Sequence, residues 1–316
     1  MATQLPPKEL LKSTFEQISE KVHRTPVLTS SLLNDLAGAT LYFKCENFQK
    51  MGAFKMRGAT NAILELSPAQ QQAGVVTHSS GNFGQAVALA ARNLGVKAYI
   101  VMPSNAPRVK VDAVGQYGGE ITFCEPTIHA RQKAADDIRL RTGASFLHPS
   151  NQLEVILGSA TAAIELLQDQ PDLEILVAPV GGGGLIAGTA LAAHYFGKGC
   201  RTIGGEPAQA DDAWRSLRSG RIEKNETTNT IADGLRTTLG DVNFPIIRSL
   251  VDDIIRVEET EIIAALRLIW ERLKIVAEPS CAVALAAVLK APETFKDRRV
   301  GLIISGGNVD LNALPF

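Results

Sequence analysis

Runs of apolar residues alternate with amphipathic stretches over most of this chain. Between residues 74 and 150, each short apolar run is followed by a stretch whose apolar positions recur at helical spacing. The predicted strands are Val75–Thr77, Ala98–Met102, Glu120–Cys124 and Ser145–Leu147, and the predicted helices between them are Phe83–Leu94, Arg108–Tyr117 and His129–Arg141. This alternation predicts a parallel sheet with helices on both faces.

The later half of the chain repeats the pattern. Its predicted strands are Ile175–Val180, Arg201–Gly205, Ile254–Val257 and Val300–Ser305. No segment rich in proline, glycine and serine separates the two regions. We therefore predict an α/β protein with two open, twisted parallel sheets flanked by helices, in which a small domain of residues 74–151 is inserted into a larger, discontinuous domain of residues 1–73 and 152–316.

Composition narrows the class of protein. The chain has 316 residues, of which 45% are hydrophobic and 21% charged, and its formal net charge is −1. These values are typical of a globular protein with an ample core. No basic stripe indicates a nucleic-acid partner, and no long apolar stretch or cationic amphipathic face indicates a membrane.

The four cysteines and five histidines are scattered along the sequence. No two cysteines have the spacing of a redox or zinc motif. We therefore expect free thiols in a reducing compartment, which by default is the cytoplasm. The histidine spacing gives no metal-binding pattern, and this disfavours a metallohydrolase.

One lysine lies in a segment suited to covalent chemistry. Lys55 follows Phe54 and precedes Arg57-Gly58-Ala59, where a helix can begin. An amine that is desolvated in such surroundings has a lowered pKa and can form a Schiff base. By itself, a lysine at this kind of position is more often a solvated surface charge.

Two strand-to-helix turns change that interpretation. Gly181, Gly182, Gly183 and Gly184 precede Leu185 at a predicted helix start, where backbone N–H groups could hold a single phosphate. The turn Ser79-Ser80-Gly81-Asn82 offers hydroxyls, an amide and backbone donors that could hold a carboxylate. Both turns follow parallel strands at their carboxyl ends, where ligands bind in open α/β sheets. A tight turn without a ligand is the alternative for each.

Four segments in this order resemble a known enzyme family. The Lys55 segment, Ser-Ser-Gly-Asn, the tetraglycine turn and Ser305-Gly306-Gly307-Asn308 resemble fold-type II enzymes that use pyridoxal 5′-phosphate, and within them the serine/threonine dehydratase and serine racemase family. The resemblance runs from about Leu10 to the C-terminus. It implies a tryptophan synthase β-like fold with the cofactor in the cleft between two domains, a mobile small domain and a homodimer.

The resemblance also implies which residues contact the cofactor. Lys55 would form the Schiff base and act as general base. The phosphate would be held by Gly181, Gly182, Gly183 and Gly184 with the Leu185 N–H. Around the ring, Asn82 would hydrogen-bond the pyridine 3′-oxygen, Ser305 would face the ring nitrogen, Phe54 would pack against the cofactor, and Glu278 would lie near the ring. A hydroxyl at Ser305 does not favour a protonated ring nitrogen as a carboxylate does, and this suits elimination better than transamination.

For the substrate, the resemblance implies a carboxylate-binding loop formed by Ser79, Ser80, Gly81, Asn82 and Phe83. Ser80 would stand across the cofactor from Lys55, where the two groups could act as the bases of a racemase. Arg131 and Thr237 align with further substrate positions, although Arg131 lies on a helix of mixed charge and could equally be solvated.

The segment Gly205–Asp212 resembles the divalent-cation segment of the family. Carboxylate oxygens of Glu206 and Asp212 and the carbonyl of Ala210 would suit a structural Mg²⁺ or Ca²⁺. Two carboxylates at this spacing are also common without a metal.

Phe83 departs from the family, whose serine- and threonine-type members usually have histidine at this position. A phenyl ring makes the carboxylate loop more apolar. One hypothesis is therefore a β-hydroxy amino acid with an aryl β-substituent, such as L-threo-phenylserine. The alternative is that Phe83 only packs between the domains.

The sequence thus predicts a pyridoxal-phosphate-dependent ammonia-lyase, that is, a dehydratase. It would convert a β-hydroxy-α-amino acid of the L-serine or L-threonine type to a 2-oxo acid and ammonia by α,β-elimination. An amino-acid racemase that uses Lys55 and Ser80 is the alternative among enzymes. A non-catalytic, cofactor-binding amino-acid sensor is the alternative outside them.

Overall fold

Two sheets organise the chain in the computed structural model, which describes residues 5–311 and 314–316. The strands are β1 (Val27–Leu28), β2 (Thr40–Cys45), β3 (Val75–His78), β4 (Ala98–Pro103), β5 (Glu120–Cys124), β6 (Ser145–Phe146), β7 (Ile175–Pro179), β8 (Arg201–Pro207), β9 (Asp253–Val257) and β10 (Arg299–Ile304). The larger sheet has the order β1-β2-β10-β7-β8-β9 and the smaller one the order β5-β4-β3-β6. All neighbours run parallel except β1 and β2.

Helices cover the faces of both sheets. They are α1 (Lys8–Ile18), α2 (Ser31–Ala37), α3 (Lys55–Leu64), α4 (Pro68–Ala73), α5 (Asn82–Asn93), α6 (Arg108–Gln116), α7 (Ile128–Thr142), α8 (Leu153–Asp169), α9 (Gly184–Phe196), α10 (Asp212–Ser219), α11 (Phe244–Leu250), α12 (Glu259–Leu268), α13 (Pro279–Lys290) and α14 (Pro292–Phe295). No helix within the described residues is long and apolar enough to cross a membrane.

The α/β fold with two parallel sheets flanked by helices is confirmed. Every strand and helix named from the hydrophobic pattern is present, with ends displaced by no more than two residues. The smaller sheet lies within residues 75–146, inside the region predicted as the small domain. The domain boundaries themselves, at residues 74 and 151, stay a prediction.

The core has separate layers on the two faces of the larger sheet. One layer packs α8 and α9 against the sheet, and the other packs α12 and α13 against its opposite face. These helices are apolar on most sides because they are buried. A third cluster joins α3 to α5 and to the smaller sheet. Helix α3 therefore lies between the two sheets.

Helices α3 and α8 approach each other closely through two glycines. A Cβ atom added to Gly58 would lie 2.8 Å from the carbonyl oxygen of Val155, and one added to Gly158 would lie 2.8 Å from the Cα of Gly58. Larger residues at either position would push the helices apart, so the glycines fix the distance between the start of α3 and the larger sheet.

Beside this crossing, four charged side chains are buried together. Arg57 on α3 donates from Nε to Glu46 at 2.7 Å and from Nη1 to Glu165 at 2.8 Å, and Lys44 lies 2.6 Å from Glu165. Burial alone raises the pKa of Glu46, but the Arg57 charge and its hydrogen bonds outweigh that effect and lower it. The two cations and two carboxylates compensate each other, which is the condition for burying such charges.

We predict that Arg57→Met destabilises the protein by about 3–5 kcal/mol, because it leaves two buried carboxylates with one cation. Urea unfolding of the purified protein measures this loss. The matched control is Arg108→Met, which breaks an exposed i,i+4 pair with Asp112 and should cost no more than about 1 kcal/mol. Equal stability of the two variants would contradict the prediction.

Candidate active site

The turns that follow strands of both sheets meet around the first residue of α3. The Lys55 amine donates a 2.6 Å hydrogen bond to the carbonyl of Pro149, in the turn after β6. The backbone N–H of Phe54 donates at 3.0 Å to Ser305, in the turn after β10. The carboxyl ends of parallel strands therefore converge here, where open α/β sheets place their ligands.

Lys55 is held in surroundings that favour its neutral form. Its Nζ atom lies 4.8 Å from the centre of the Phe54 ring and 5.7 Å from that of Phe83. Burial lowers the pKa of Lys55 to about 8, and the nearby charge of Glu278 opposes that shift. An amine with this pKa is partly unprotonated near neutral pH, so it can act as nucleophile or base.

The tetraglycine turn forms the start of α9. Gly183 has φ of +81°, a conformation that favours glycine, and it precedes the first helical residue, Gly184. The first N–H groups of a helix have no partner within it, and they bear partial positive charge. Leu185 contributes one of these groups. The predicted phosphate-binding turn thus has the backbone arrangement that an anion requires.

The glycines also have a packing role that the sequence did not indicate. A Cβ at Gly181 would lie 2.7 Å from the Cα of Leu235, and one at Gly183 would lie 2.6 Å from Leu239. Ser150 occupies the space beside Gly182 and Gly184. The turn is therefore enclosed by other parts of the chain, and glycine is required even without a ligand.

Asn82, at the start of α5, belongs to a partly buried polar network. Its Nδ2 atom lies 3.0 Å from both carboxylate oxygens of Glu278, and its Oδ1 accepts a 2.9 Å hydrogen bond from Asn308. Burial raises the pKa of Glu278 to about 7. The structure thus brings Asn82 and Glu278 into direct contact near Lys55.

The predicted carboxylate loop is placed beside the lysine. Ser79 Oγ accepts a 3.4 Å hydrogen bond from the Gly81 N–H. The Ser80 hydroxyl has no hydrogen-bond partner within the described part of the chain, so it is available to a ligand. Phe83 is only 2% exposed, and its side chain packs in the apolar cluster shared by α3 and α5.

Two further predicted substrate residues differ in their placement. Thr237 lies beside the tetraglycine turn, since a Cβ at Gly182 would be 2.9 Å from its Oγ1. Arg131 lies in the first turn of α7, where its buried Nε has no partner among the residues that the structure describes. The structure shows no contact between Arg131 and Lys55 or the tetraglycine turn.

The carboxylates of the predicted cation segment accept hydrogen bonds from backbone N–H groups. The Glu206 carboxylate accepts hydrogen bonds from the N–H groups of Ala213 and Trp214 at 2.9 and 2.7 Å. Asp212 Oδ2 accepts one from Leu239 at 2.9 Å. Across residues 5–311 and 314–316, no group of three or more His, Cys, Asp or Glu side chains is placed to hold a metal ion. Ala210, the third predicted ligand, is buried.

Sequence reasoning missed the turn after β6. The ring of His148 accepts hydrogen bonds at Nδ1 from the N–H groups of Ser150 and Asn151, at 3.2 and 2.8 Å. These bonds fix the turn that presents the Pro149 carbonyl to Lys55. Burial lowers the pKa of His148 to about 4, so the ring is neutral at physiological pH. The available signal was its position at the end of a predicted strand of the smaller sheet.

Comparisons with known proteins find relatives over nearly the whole chain. A family model described as Pyridoxal-phosphate dependent enzyme matches residues 18–306. Serine racemase from Dictyostelium discoideum is 47% identical over 310 residues, which cover 96% of this chain and 95% of that protein. The beta-hydroxyaspartate dehydratase of Paracoccus denitrificans (strain Pd 1222) is 46% identical over 312 residues, 99% of each chain. The crystal structure of the T.th. threonine deaminase superposes with a TM-score of 0.92 at 41% identity, covering 97% of this chain and 99% of that one.

We predict that acetylation of Lys55 in the cofactor-free protein has a pH midpoint of about 8, because only the neutral amine reacts. An ordinary exposed lysine has an acetylation midpoint of about 10.4. Brief treatment with acetic anhydride at a series of pH values, followed by peptide mass spectrometry, measures the midpoint. Glu278→Gln removes a charge that raises the Lys55 pKa, so the midpoint should fall further. A wild-type midpoint that matches exposed lysines of the same protein would refute the assignment.

Proposed function

Because this chain belongs to the family of pyridoxal-phosphate dependent enzymes, we propose that it is an ammonia-lyase that acts on a β-hydroxy-α-amino acid. The reaction would give a 2-oxo acid and ammonia. The observation that carries the proposal is the partly buried Lys55 amine between two aromatic rings, which donates to Pro149, the residue before the Ser150 that packs on the tetraglycine turn. Dehydratases and racemases both occur among the relatives.

The residues around Lys55 fit pyridoxal phosphate. The N-terminus of α9 offers unbonded N–H groups to a phosphate, with Gly181 to Gly184 and Leu185 as the contributing residues. Lys55 offers an amine with a lowered pKa, and Asn82 and Ser305 offer polar atoms suited to the ring oxygen and the ring nitrogen. When bound, the cofactor supplies an aldehyde that condenses with amines and a ring that withdraws electrons from the substrate α-carbon.

The chain's own residues would move the proton and exclude water. Lys55 Nζ would take the α-proton, and its pKa of about 8 suits a base that must later give the proton up. The rings of Phe54 and Phe83 lie 4.8 and 5.7 Å from the amine and would limit the access of water to it. Ser305 is 3% exposed and presents a hydroxyl, which does not hold a proton on a ring nitrogen as a carboxylate would.

The loop from Ser79 to Phe83 would bind the substrate carboxylate. The N–H groups at the start of α5 have no partner within the helix, and they bear partial positive charge. Asn82 and the free hydroxyl of Ser80 lie in the same turn. Thr237 lies on the other side, next to Gly182, and we assign it to the substrate pocket. Arg131 remains a weaker candidate because its contacts do not reach the lysine.

A racemase is the second candidate, and Ser80 is the observation that favours it. Its hydroxyl is partly buried, and within the described residues it makes no hydrogen bond. A serine beside the substrate can return a proton to the face opposite a lysine. Serine racemases from several organisms are 44–47% identical to this chain. The two activities share the first step, removal of the α-proton.

We also propose an aryl-bearing substrate, such as L-threo-phenylserine, on the strength of Phe83. The ring faces the lysine at 5.7 Å, which supports a role at the reacting centre. Its 2% exposure supports the competing interpretation, in which Phe83 packs within the protein and leaves the pocket shape to other residues. A substrate comparison decides between them.

A structural Mg²⁺ or Ca²⁺ near Glu206 is a separate proposal. Two observations support it: Asp212 Oδ1 is buried without a hydrogen-bond partner among the described residues, and burial together with the Asp212 charge raises the pKa of Glu206 well above its usual range. A cation between the carboxylates would relieve both. Thermal unfolding after chelation, with and without added Mg²⁺ or Ca²⁺, tests the proposal.

We further propose that the protein is a cytoplasmic homodimer, by analogy with the family. Four cysteines without disulfides are consistent with a reducing compartment. Light scattering during gel filtration measures the mass in solution.

We predict that Ser80→Ala separates the two candidate activities. Lys55 still takes the α-proton from an L-substrate, so 2-oxo acid release should fall by less than about tenfold. Formation of the D-isomer should fall by about a hundredfold or more, because the second base is gone. The measurement is 2-oxo acid and enantiomer analysis with L-serine, L-threonine and threo-3-hydroxyaspartate.

In the same assay, Lys55→Ala should abolish both products. Enantiomer conversion that exceeds 2-oxo acid release in the wild type would favour the racemase. A reducible cofactor adduct on Lys55 without turnover of any amino acid would favour a sensor.

We predict that Phe83→His shifts the ratio of kcat/KM for L-serine over L-threo-phenylserine towards serine by about tenfold, because an apolar contact is replaced by a polar one. Initial rates of 2-oxo acid release with both substrates measure the ratio. Phe295→His, which makes the same change at another buried phenylalanine, is the matched control. An unchanged ratio in Phe83→His would assign Phe83 to packing alone.

A further inference from the structure

Two side chains hold the side-chain amide of Asn82, one at its nitrogen and one at its oxygen. Its nitrogen lies 3.0 Å from both oxygens of Glu278, and its oxygen accepts from Asn308 Nδ2 at 2.9 Å. An asparagine amide presents donors at one end and an acceptor at the other. A half-turn of the group exchanges these ends, so its partners alone determine which end faces the site.

Other contacts identify Asn308 as the hydrogen-bond donor to Asn82 and Glu278 as the acceptor. Asn308 Nδ2 also donates to the carbonyl of Met51 at 2.9 Å, and a carbonyl accepts only from a donor. This contact fixes the nitrogen of Asn308 against Met51 and Asn82. Glu278 offers only acceptors when ionised, and its backbone N–H donates to Gly306 at 3.0 Å.

Two glycines make room for this arrangement. A Cβ at Gly306 would lie 2.7 Å from Glu278 Oε1, and a Cβ at Gly52 would lie 2.8 Å from Asn308 Oδ1. Any larger residue at either position would displace the side chain that holds Asn82. The Ser-Gly-Gly-Asn turn therefore supplies both a partner for Asn82 and the space that its second partner needs.

Resting on the proposed function, we propose that Glu278 and Asn308 are positioning residues, which hold Asn82 so that one N–H remains free to donate to the oxygen at position 3 of the cofactor ring. Asn82 Nδ2 has two hydrogens. The nitrogen lies 3.0 Å from each Glu278 oxygen, and one N–H directed between the two oxygens satisfies both contacts, which leaves the second N–H for a ligand.

The reversed amide is disfavoured at both ends. It would set Asn82 Oδ1 against the Glu278 carboxylate and Asn82 Nδ2 against the nitrogen of Asn308. It would also present an acceptor to the ring oxygen, where a donor is needed. Burial raises the pKa of Glu278 to about 7, so above that pH its carboxylate is mainly ionised and accepts a charge-assisted hydrogen bond from Asn82.

The network joins the two sheets. Asn82 begins α5 of the smaller sheet, whereas Glu278 precedes α13 and Asn308 follows β10 of the larger one. The orientation of Asn82 is therefore set by the part of the molecule that also holds Lys55. Glu278 acts on both groups, since its charge raises the pKa of Lys55.

The test is the double variant Glu278→Gln with Asn308→Asp, which exchanges donor and acceptor around Asn82 while keeping side-chain shape and net charge. The introduced glutamine amide would donate to the Asn82 oxygen, and the introduced aspartate carboxylate would accept from the Asn82 nitrogen, so the amide reverses. The Met51 carbonyl loses its donor, and we therefore expect a folded protein with a modestly lowered melting temperature.

Affinity of the double variant for 4′-deoxypyridoxine 5′-phosphate, which has the ring oxygen but no aldehyde, should fall by about tenfold or more. Equilibrium dialysis of the cofactor-free protein measures this affinity. The control ligand is the same compound without the oxygen at position 3. Wild type and double variant should bind the control ligand equally, because this ligand has no oxygen at position 3 to accept a hydrogen bond from Asn82.

A single variant separates the Met51 contact from the reversal of the amide. Asn308→Ala also loses the Met51 contact, and it should weaken binding of the oxygen-bearing ligand less than the double variant does. If the double variant does not fold, Asn308→Ala is compared with the wild type on both ligands instead.

Two outcomes would overturn the inference. The first is wild-type affinity of the double variant for the oxygen-bearing ligand. The second is an equal loss for both ligands, which would indicate a structural role alone. Failure of the wild type to bind pyridoxal phosphate at all is a distinct result, and it would contradict the proposed function instead.

Discussion

The contact of Arg57 with two buried carboxylates is the constraint on which the site depends. Arg57 lies two residues after Lys55, in the first turn of α3, and it cannot shed its charge. Glu46 binds it from the turn after β2, and Glu165 binds it from α8. A buried guanidinium that loses one of these partners is strongly destabilising. The two contacts therefore fix the position of the start of α3 relative to the larger sheet. Lys55 takes its position from this contact.

Desolvation of the lysine follows from the same geometry. The close crossing of α3 and α8 places the amine under the turn after β6, between two aromatic rings. Few charges reach it there, and Glu278 is the carboxylate whose field acts on it. The charged network supports α3 from one side and the reactive amine emerges on the other. The lowered pKa of the Lys55 amine is thus a consequence of where the buried charges are compensated.

The sequence allowed the strands and the reactive turns to be predicted, because parallel strands and their glycine-rich exits have strong local signals. Helix α8 was missed, since a helix apolar on most sides lacks the periodic pattern of a surface helix. Lys44 and Arg57 could not be identified as buried, because a charged residue is ordinarily exposed and its compensating partner can lie far away in the sequence. Glu165 is such a partner. The turn after β6 and the role of Asn308 also depend on contacts between distant segments, which no local pattern reports.

The glycine motifs reflect packing against neighbouring side chains as well as space for a ligand. Glycine at a phosphate-binding turn suggests close approach of the backbone to a ligand. In this protein the space beside Gly182 is filled by Ser150, that beside Gly183 by Leu239, and that beside Gly306 by Glu278. A larger residue at these positions would first displace the neighbouring side chain. Motif and site are therefore coupled through packing, and this explains why a short glycine pattern indicates an arrangement of side chains far away in the sequence.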